Sequence, residues 1–127
     1  MRALFVVLFA TLPSLAAAGP VKASVRYLHI EEGYDHLNRL DVLVDGQVVA
    51  SSAERPQSKK NKVRFELPEG AQTVQLVNYA LYEGQWEIHS ILNNYSIDCL
   101  WELPAADARA RGKLDLLCDL DRGPRLK

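Results

Sequence analysis

The chain has 127 residues, of which 48% are hydrophobic, and this size and composition suit one globular domain. Its 15 Lys and Arg residues balance 16 Asp and Glu residues, which excludes a generally basic nucleic-acid-binding protein. The sequence has one long apolar run, at its N-terminus, and a single run excludes a polytopic membrane protein.

The first 18 residues have the three parts of a secretory signal peptide. Met1-Arg2 supplies a positive start, residues 3–15 are apolar, and Ala16-Ala17-Ala18 offers small residues for cleavage. Because Pro13 interrupts the apolar run, we favour a cleaved signal over an uncleaved anchor helix. The mature protein is then expected to start at Gly19, to be periplasmic or secreted by a bacterium, and to retain no membrane span.

Export changes the interpretation of the two cysteines, since an even number in an oxidising compartment indicates pairing. Cys99 and Cys118 are therefore predicted to form one disulfide bond. An antiparallel pairing of 95–102 with 113–120 would place them opposite each other, close to Trp101. The pair lacks the four ligands of a structural zinc site and the Cys-x-x-Cys spacing of a redox motif.

Alternating apolar and polar residues predict a series of short strands. The predicted strands cover 21–27, 40–44, 48–50, 63–67, 73–82, 86–89, 95–102 and 113–120. Asp45-Gly46 predicts a tight hairpin turn, and Pro104 and Gly112 predict a short helix over 104–111. The apolar phase within 73–82 changes near Val77, which predicts a bulge or a strand buried on both faces. The polar tail from Arg122 is expected to fray.

About seven or eight strands with regular turns predict an all-β domain over residues 19–127. We expect a small antiparallel β-sandwich of the immunoglobulin-like or transthyretin-like kind, with one short helix near 104–111. A small β-barrel is the alternative.

Residues 41–77 resemble the PEGA-type β modules of bacterial envelope proteins. The resemblance rests on residues 43–49 (LVDGQVV), 63–70 (VRFELPEG) and 73–76 (TVQL), which give a strand, an Asp-Gly turn, a strand, a Leu-Pro-x-Gly turn and a strand. The Pro-x-Gly-Ala with which the family's motif opens is missing here. The resemblance implies a β module in a bacterial envelope and no active site.

Motifs of catalysis are missing from the sequence, which has no Gly-x-Ser-x-Gly elbow, Walker loop, Gly-x-Gly-x-x-Gly or His-Glu-x-x-His. We therefore expect no enzyme and no cofactor. His29, His36 and His89, with nearby carboxylates, could hold copper or zinc, so a small periplasmic metal-binding protein is the alternative function. No two of the histidines have a recognised ligand spacing, and ordinary surface histidines are favoured.

Basic residues crowd the segment between positions 55 and 64, where the only acid is Glu54 at its edge. The candidate partner-binding residues are Arg55, Lys59, Lys60, Lys62 and Arg64. They could meet an anionic phospholipid, lipopolysaccharide, glycan or acidic protein. A solvated loop beside a lysine-protected edge strand is the alternative.

Aromatic residues of the second half offer another surface, a shallow platform for a sugar or a protein. They are Tyr79, Tyr82, Trp86, Tyr95 and Trp101. Packing within the core is the alternative role. The sequence as a whole predicts an exported, non-catalytic binding or accessory module of the cell envelope, such as an assembly factor or inhibitor. We expect a protein or envelope-component partner, no nucleic acid, and a monomer or edge-paired homodimer.

Overall fold

The computed structural model describes residues 19–127, and the predicted signal peptide over residues 1–18 lies outside them. Strands dominate this part of the chain, with one α-helix and a 3₁₀ turn at Ile91–Asn93. In chain order the elements are β1 (Gly19–Leu28), β2 (Leu37–Val44), β3 (Gln47–Ser51), β4 (Arg55–Pro56), β5 (Asn61–Leu67), β6 (Thr73–Tyr82), β7 (Gln85–Ile88), β8 (Leu100–Pro104), α1 (Ala105–Arg111), β9 (Lys113–Asp119) and β10 (Gly123–Leu126).

The strands form two sheets, which confirms the predicted β-sandwich over the small barrel. The four-stranded sheet has the order β10-β9-β1-β5. The six-stranded sheet has the order β3-β2-β6-β7, with β4 beside β2 and β8 beside β6. Most pairs are antiparallel, but β9 runs parallel to β1. Helix α1 lies between β8 of one sheet and β9 of the other, so the chain changes sheets there.

The hydrophobic core lies between the sheets, because every second residue of a strand points to the same face. Both sheets supply core leucines that are at most 1% exposed: Leu40, Leu67, Leu76, Leu114 and Leu116. Burial of each such leucine stabilises the fold by about 2 kcal/mol relative to an exposed position.

The predicted disulfide between Cys99 and Cys118 is present, with the two Cα atoms 5.8 Å apart and both residues fully buried. The predicted antiparallel pairing of 95–102 with 113–120 is wrong. Cys118 lies on β9 of the four-stranded sheet, whereas the carbonyl oxygen of Cys99 accepts from the Asn78 N–H of β6, at 3.2 Å. The disulfide therefore joins one sheet to the other.

The hairpin turns follow the sequence closely. Asp45 and Gly46 have φ values of 50° and 82°, as a two-residue turn of type I′ requires, so the predicted hairpin is confirmed. Glu83 and Gly84 repeat this geometry between β6 and β7. Gly112 adopts a left-handed φ of 68° and ends α1, as predicted for the short helix.

Of the two alternatives predicted for 73–82, the bulge near Val77 is absent. Strand β6 alternates regularly, buries the polar Asn78 on its core face and is half-buried on its other face, which agrees with the alternative of a strand covered on both faces. The register shift lies instead between Val42 and Leu43, where β2 pairs with β3. The tail does not fray, since β10 pairs with β9. No helix within residues 19–127 has the length and apolar character needed to cross a membrane.

Candidate functional site

The outer face of the four-stranded sheet carries exposed cations from all four of its strands. Strand alternation places them there, since their neighbours along each strand point into the core. We call this set the basic face: Lys22 and Arg26 of β1, Lys62 and Arg64 of β5, Lys113 of β9 and Arg125 of β10.

Three of these cations form a row across adjacent strands. Lys22 is the direct register partner of Lys113 on one side and of Arg64 on the other. Directly paired residues of neighbouring strands project from the same face, and like charges in that arrangement are destabilising. The fold therefore holds an array of positive charge that its own stability does not favour.

Two acids lie among these cations, and of the two Asp115 is engaged within the protein while Glu66 of β5 is exposed. The Ser24 hydroxyl donates to Asp115 at 2.5 Å, and Lys113 Nζ lies 3.7 Å from the same carboxylate. Partial burial opposes ionisation of Asp115, but the Ser24 hydrogen bond and the charges of Lys113 and Lys60 lower its pKa. Arg64, Lys62 and Lys22 have no carboxylate within salt-bridge distance among the described residues, so the face remains positive.

The five predicted partner-binding residues lie in two places, the basic face and the segment that precedes it. Lys62 and Arg64 lie on the basic face, on the edge strand β5. Lys59 and Lys60 lie in the preceding loop, and Arg55 on β4 donates from Nη1 to the Lys60 carbonyl oxygen at 3.3 Å. All five side chains are exposed.

The outer face of the six-stranded sheet carries an apolar patch beside the Arg39–Asp41 ion pair. Half-buried side chains that do not belong to the core lie on it: Leu43, Val77, Tyr79, Leu81, Trp86, Ile88 and Leu100. The Arg39 guanidinium lies 4.7 Å from the Tyr79 ring centroid and 5.1 Å from that of Trp86. The predicted aromatic platform does not form as one surface, because Tyr82 and Tyr95 line a cavity elsewhere and Trp101 packs against the core.

A cavity of about 920 Å³ opens at one end of the sandwich, and all three histidines line it. We call it the end cavity. His29 Nδ1 lies 2.8 Å from Asp119 Oδ1 and 3.6 Å from Asp121 Oδ2. Within residues 19–127 this trio is the compact group of possible metal ligands, and it does not include His36 or His89.

Asp119 is already satisfied inside the protein. Its Oδ1 accepts hydrogen bonds from His29 and from the backbone N–H groups of Asp121 and Arg122. The His29 hydrogen bond, ahead of these backbone bonds, holds the pKa of Asp119 at about 2. The trio is therefore held by hydrogen bonds within the protein, and the structure does not bring the three histidines together as one ligand set.

A chain of buried hydrogen bonds leads to the end cavity and fixes the orientation of each amide. Asn38 Nδ2 donates to the Arg55 carbonyl oxygen at 2.8 Å, so Asn38 Oδ1 is free to accept from Asn78 Nδ2, at 3.0 Å. Asn78 Nδ2 also reaches the Arg39 carbonyl oxygen at 3.2 Å. Since a carbonyl oxygen can only accept, Asn78 Oδ1 must be an acceptor.

The same chain sets the tautomer of His89. The Tyr27 hydroxyl donates to Asn78 Oδ1, which leaves the Tyr27 oxygen as the acceptor for His89 Nδ1, 3.2 Å away. His89 Nδ1 therefore carries the proton and His89 Nε2 carries a lone pair. This assignment requires the Gln57 side-chain amide, whose Nε2 lies 3.4 Å from Nδ1, to be turned so that its oxygen faces the ring. Within residues 19–127, Nε2 is the buried side-chain nitrogen or oxygen without a hydrogen-bond partner.

His89 is neutral at physiological pH. It is 4% exposed, and its ring stacks on Tyr95 with centroids 4.3 Å apart. Burial, reinforced by the charge of His36, lowers the pKa of His89 to about 4. The expectation of a surface histidine is wrong here. Alternation placed His89 on the polar face of a strand over 86–89, but β7 ends at Ile88 and His89 turns into the protein.

No protein-family model and no curated protein sequence matches the chain. Among solved structures, a disulfide-locked mutant of intermedilysin with human CD59 aligns with a TM-score of 0.36 and 9% sequence identity. The alignment covers 87% of this chain and 24% of that one. A likeness at this level carries no functional argument.

Proposed function

We propose that the protein is an exported, non-catalytic binding module of the bacterial cell envelope, and that its basic face holds an anionic envelope component. The observation that carries the proposal is the row of Lys113, Lys22 and Arg64 in direct register across three strands. Paired like charges oppose folding, so an anion bound across the row relieves a repulsion that the free protein retains.

The scaffold suits this role. The basic face lies on a hydrogen-bonded sheet and not on a loop, so its cations hold a fixed spacing when a partner arrives. The Cys99–Cys118 disulfide ties that sheet to the other one. A surface with one sign of charge also raises the association rate of an oppositely charged partner, in a manner that salt suppresses.

Binding to vesicles tests the proposal, with phosphatidylglycerol as the anionic lipid and pure phosphatidylcholine as the neutral reference. Two matched variants each reverse two charges. The sheet variant is Lys22→Glu with Arg64→Glu, and the loop variant is Arg55→Glu with Lys59→Glu. Each basic residue near an anionic surface contributes about 1 kcal/mol.

We expect the oxidised protein to sediment with the anionic vesicles at low salt and to be released at high salt. The sheet variant should bind at least about tenfold more weakly, whereas the loop variant should change by less than about threefold. Equal weakening in both variants would point to non-specific charge attraction. Undiminished binding by the sheet variant would contradict a role for the basic face in binding the vesicles.

A further inference from the structure

The end cavity has the opposite charge to the basic face. Four carboxylate side chains are among the residues that line it: Glu31, Glu83, Glu87 and Asp121. No lysine or arginine is among those lining residues. The carboxylates outnumber the three histidines of the wall, and a concave site with an excess of one sign of charge concentrates ligands of the other sign. The end cavity therefore favours a cation.

Aromatic rings form part of the cavity wall. His36 contacts Tyr34 and Tyr82 edge-on, with ring centroids 6.3 Å and 5.5 Å apart. Tyr34 and Tyr82 are 59% and 44% exposed, so their rings are open to a ligand. The negative faces of aromatic rings attract organic cations, and more strongly where water is excluded.

The cavity wall also holds an acceptor with no donor. His89 Nε2 has a lone pair, is shut away from water and has no hydrogen-bond partner within residues 19–127. Buried polar atoms in native proteins nearly always have a partner, so an orphan acceptor at a cavity indicates a donor that arrives with a ligand. Beside it, Glu87 Oε1 accepts from the Tyr95 hydroxyl at 3.0 Å and keeps its other oxygen for a ligand.

We propose that the end cavity binds a small organic cation with protonated amino groups, of the polyamine class. Such a ligand donates hydrogen bonds and accepts none, which matches a wall that offers carboxylate oxygens and an unpartnered imidazole nitrogen. Its charge compensates the four carboxylates, and its methylene groups lie against the tyrosine rings. The volume of about 920 Å³ falls in the range of small-molecule sites and exceeds what a metal ion needs.

Titration calorimetry of the oxidised protein with spermidine tests the proposal, and maltotriose serves as a neutral, hydroxyl-rich reference. Glu87→Gln removes a charge from the cavity while its amide oxygen can still accept from Tyr95. Glu66→Gln is the matched control, since it removes an exposed carboxylate from β5, outside the cavity. We expect spermidine to bind, Glu87→Gln to bind it about fivefold more weakly, and Glu66→Gln to leave the affinity unchanged within about twofold.

The ¹⁵N chemical shifts of the His89 ring give a readout that attraction to surface carboxylates would not move. In the free protein they should report a proton on Nδ1, and spermidine should shift the Nε2 resonance while maltotriose does not. His89→Phe keeps a ring against Tyr95 and removes the acceptor, and it should weaken binding further if it folds. If it does not fold, Glu87→Gln and the Nε2 shift still decide the matter.

Three results would overturn the proposal. Spermidine could fail to bind at millimolar concentration and low salt. It could bind with equal loss in Glu87→Gln and Glu66→Gln, which would indicate attraction to acidic groups in general. Maltotriose could bind in its place and shift Nε2, which would make the site one for a neutral saccharide.

Discussion

The Tyr27 hydroxyl of the four-stranded sheet donates a hydrogen bond to Asn78 Oδ1 of the six-stranded sheet. Asn78 Nδ2 in turn donates to Asn38 Oδ1 within its own sheet, and the Tyr27 oxygen contacts His89 Nδ1 at the end cavity. The sandwich is thus joined by a buried polar network in addition to its leucine core and its disulfide. Burial raises the pKa of the Tyr27 hydroxyl, so Tyr27 remains a donor at any physiological pH.

Replacement of Asn78 by alanine should therefore be costly. Asn78→Ala leaves the Tyr27 hydroxyl without its acceptor and Asn38 Oδ1 without its donor, both in the core. Each unsatisfied buried group costs about 1–3 kcal/mol, so we expect a loss of about 3 kcal/mol in the free energy of unfolding. Urea denaturation measures it. In a double-mutant cycle with Tyr27→Phe, additive losses would show that the two side chains are not coupled.

Asn78 also shows where sequence reasoning reached its limit. A polar residue at an inward position of 73–82 looks like a change of apolar phase, and this change predicted either a bulge or a strand buried on both faces. Alternation identifies which residues share a face but not whether a polar one is satisfied by a partner far along the chain. Tyr27 is separated from Asn78 by 51 positions, and nothing local marks the pair.

His89 predicts a specific dependence of stability on pH. Its pKa is about 4 in the folded protein against an ordinary value of 6.5. Above pH 6.5 the His89 ring is neutral in both the folded and the unfolded protein, so its low folded-state pKa costs no stability. As the pH falls from 6.5 to 4, His89 binds a proton in the unfolded chain but not in the folded protein, so the free energy of unfolding decreases. The difference amounts to about 3 kcal/mol at pH 4.

Thermal unfolding of the oxidised protein between pH 7 and pH 4 measures this loss. His89→Gln should flatten the curve over that range. The depressed pKa of Asp119 acts in a separate window, since its contribution is complete above its ordinary value of 3.8 and disappears as the pH falls towards 2. A variant curve that falls as steeply as that of the unmodified protein above pH 4 would contradict the role given to His89.

The disulfide should contribute a large share of the total stability. Cys99 and Cys118 are 19 positions apart, and closure of a loop of this size stabilises a fold by about 3 kcal/mol. Urea denaturation with and without a reducing agent tests this in the unmodified protein, without the cavities that a double Cys→Ala variant introduces. A midpoint that reduction leaves in place would show that the sheets hold together without the bond.

The row of cations predicts opposite effects on stability and on binding. Lys22→Glu places a carboxylate between Lys113 and Arg64, which converts two repulsive pairs into attractive ones. We expect the free energy of unfolding to rise by about 0.5–1 kcal/mol, while binding to phosphatidylglycerol vesicles weakens. Lys22→Gln is the intermediate control. A loss of stability on Lys22→Glu would show that the three side chains do not oppose one another.

The basic face could be predicted only in part from the sequence. Lys62 and Arg64 stood out because they are near other cations along the chain. Lys22 and Lys113 each seemed ordinary, because only the parallel pairing of β1 with β9 places them side by side. Predictions that depend on neighbouring residues or on simple counting were confirmed. They are the Asp45-Gly46 turn, the helix ended by Gly112 and the cysteine pairing.

Capture from an envelope extract tests the central claim most directly. The oxidised protein, the sheet variant (Lys22→Glu, Arg64→Glu) and the loop variant (Arg55→Glu, Lys59→Glu) are immobilised in equal amounts, and each captured component is quantified against competition by free protein. We expect a competable anionic component that the unmodified protein and the loop variant retain and the sheet variant loses. A component that the sheet variant holds equally well would contradict a binding role for the basic face.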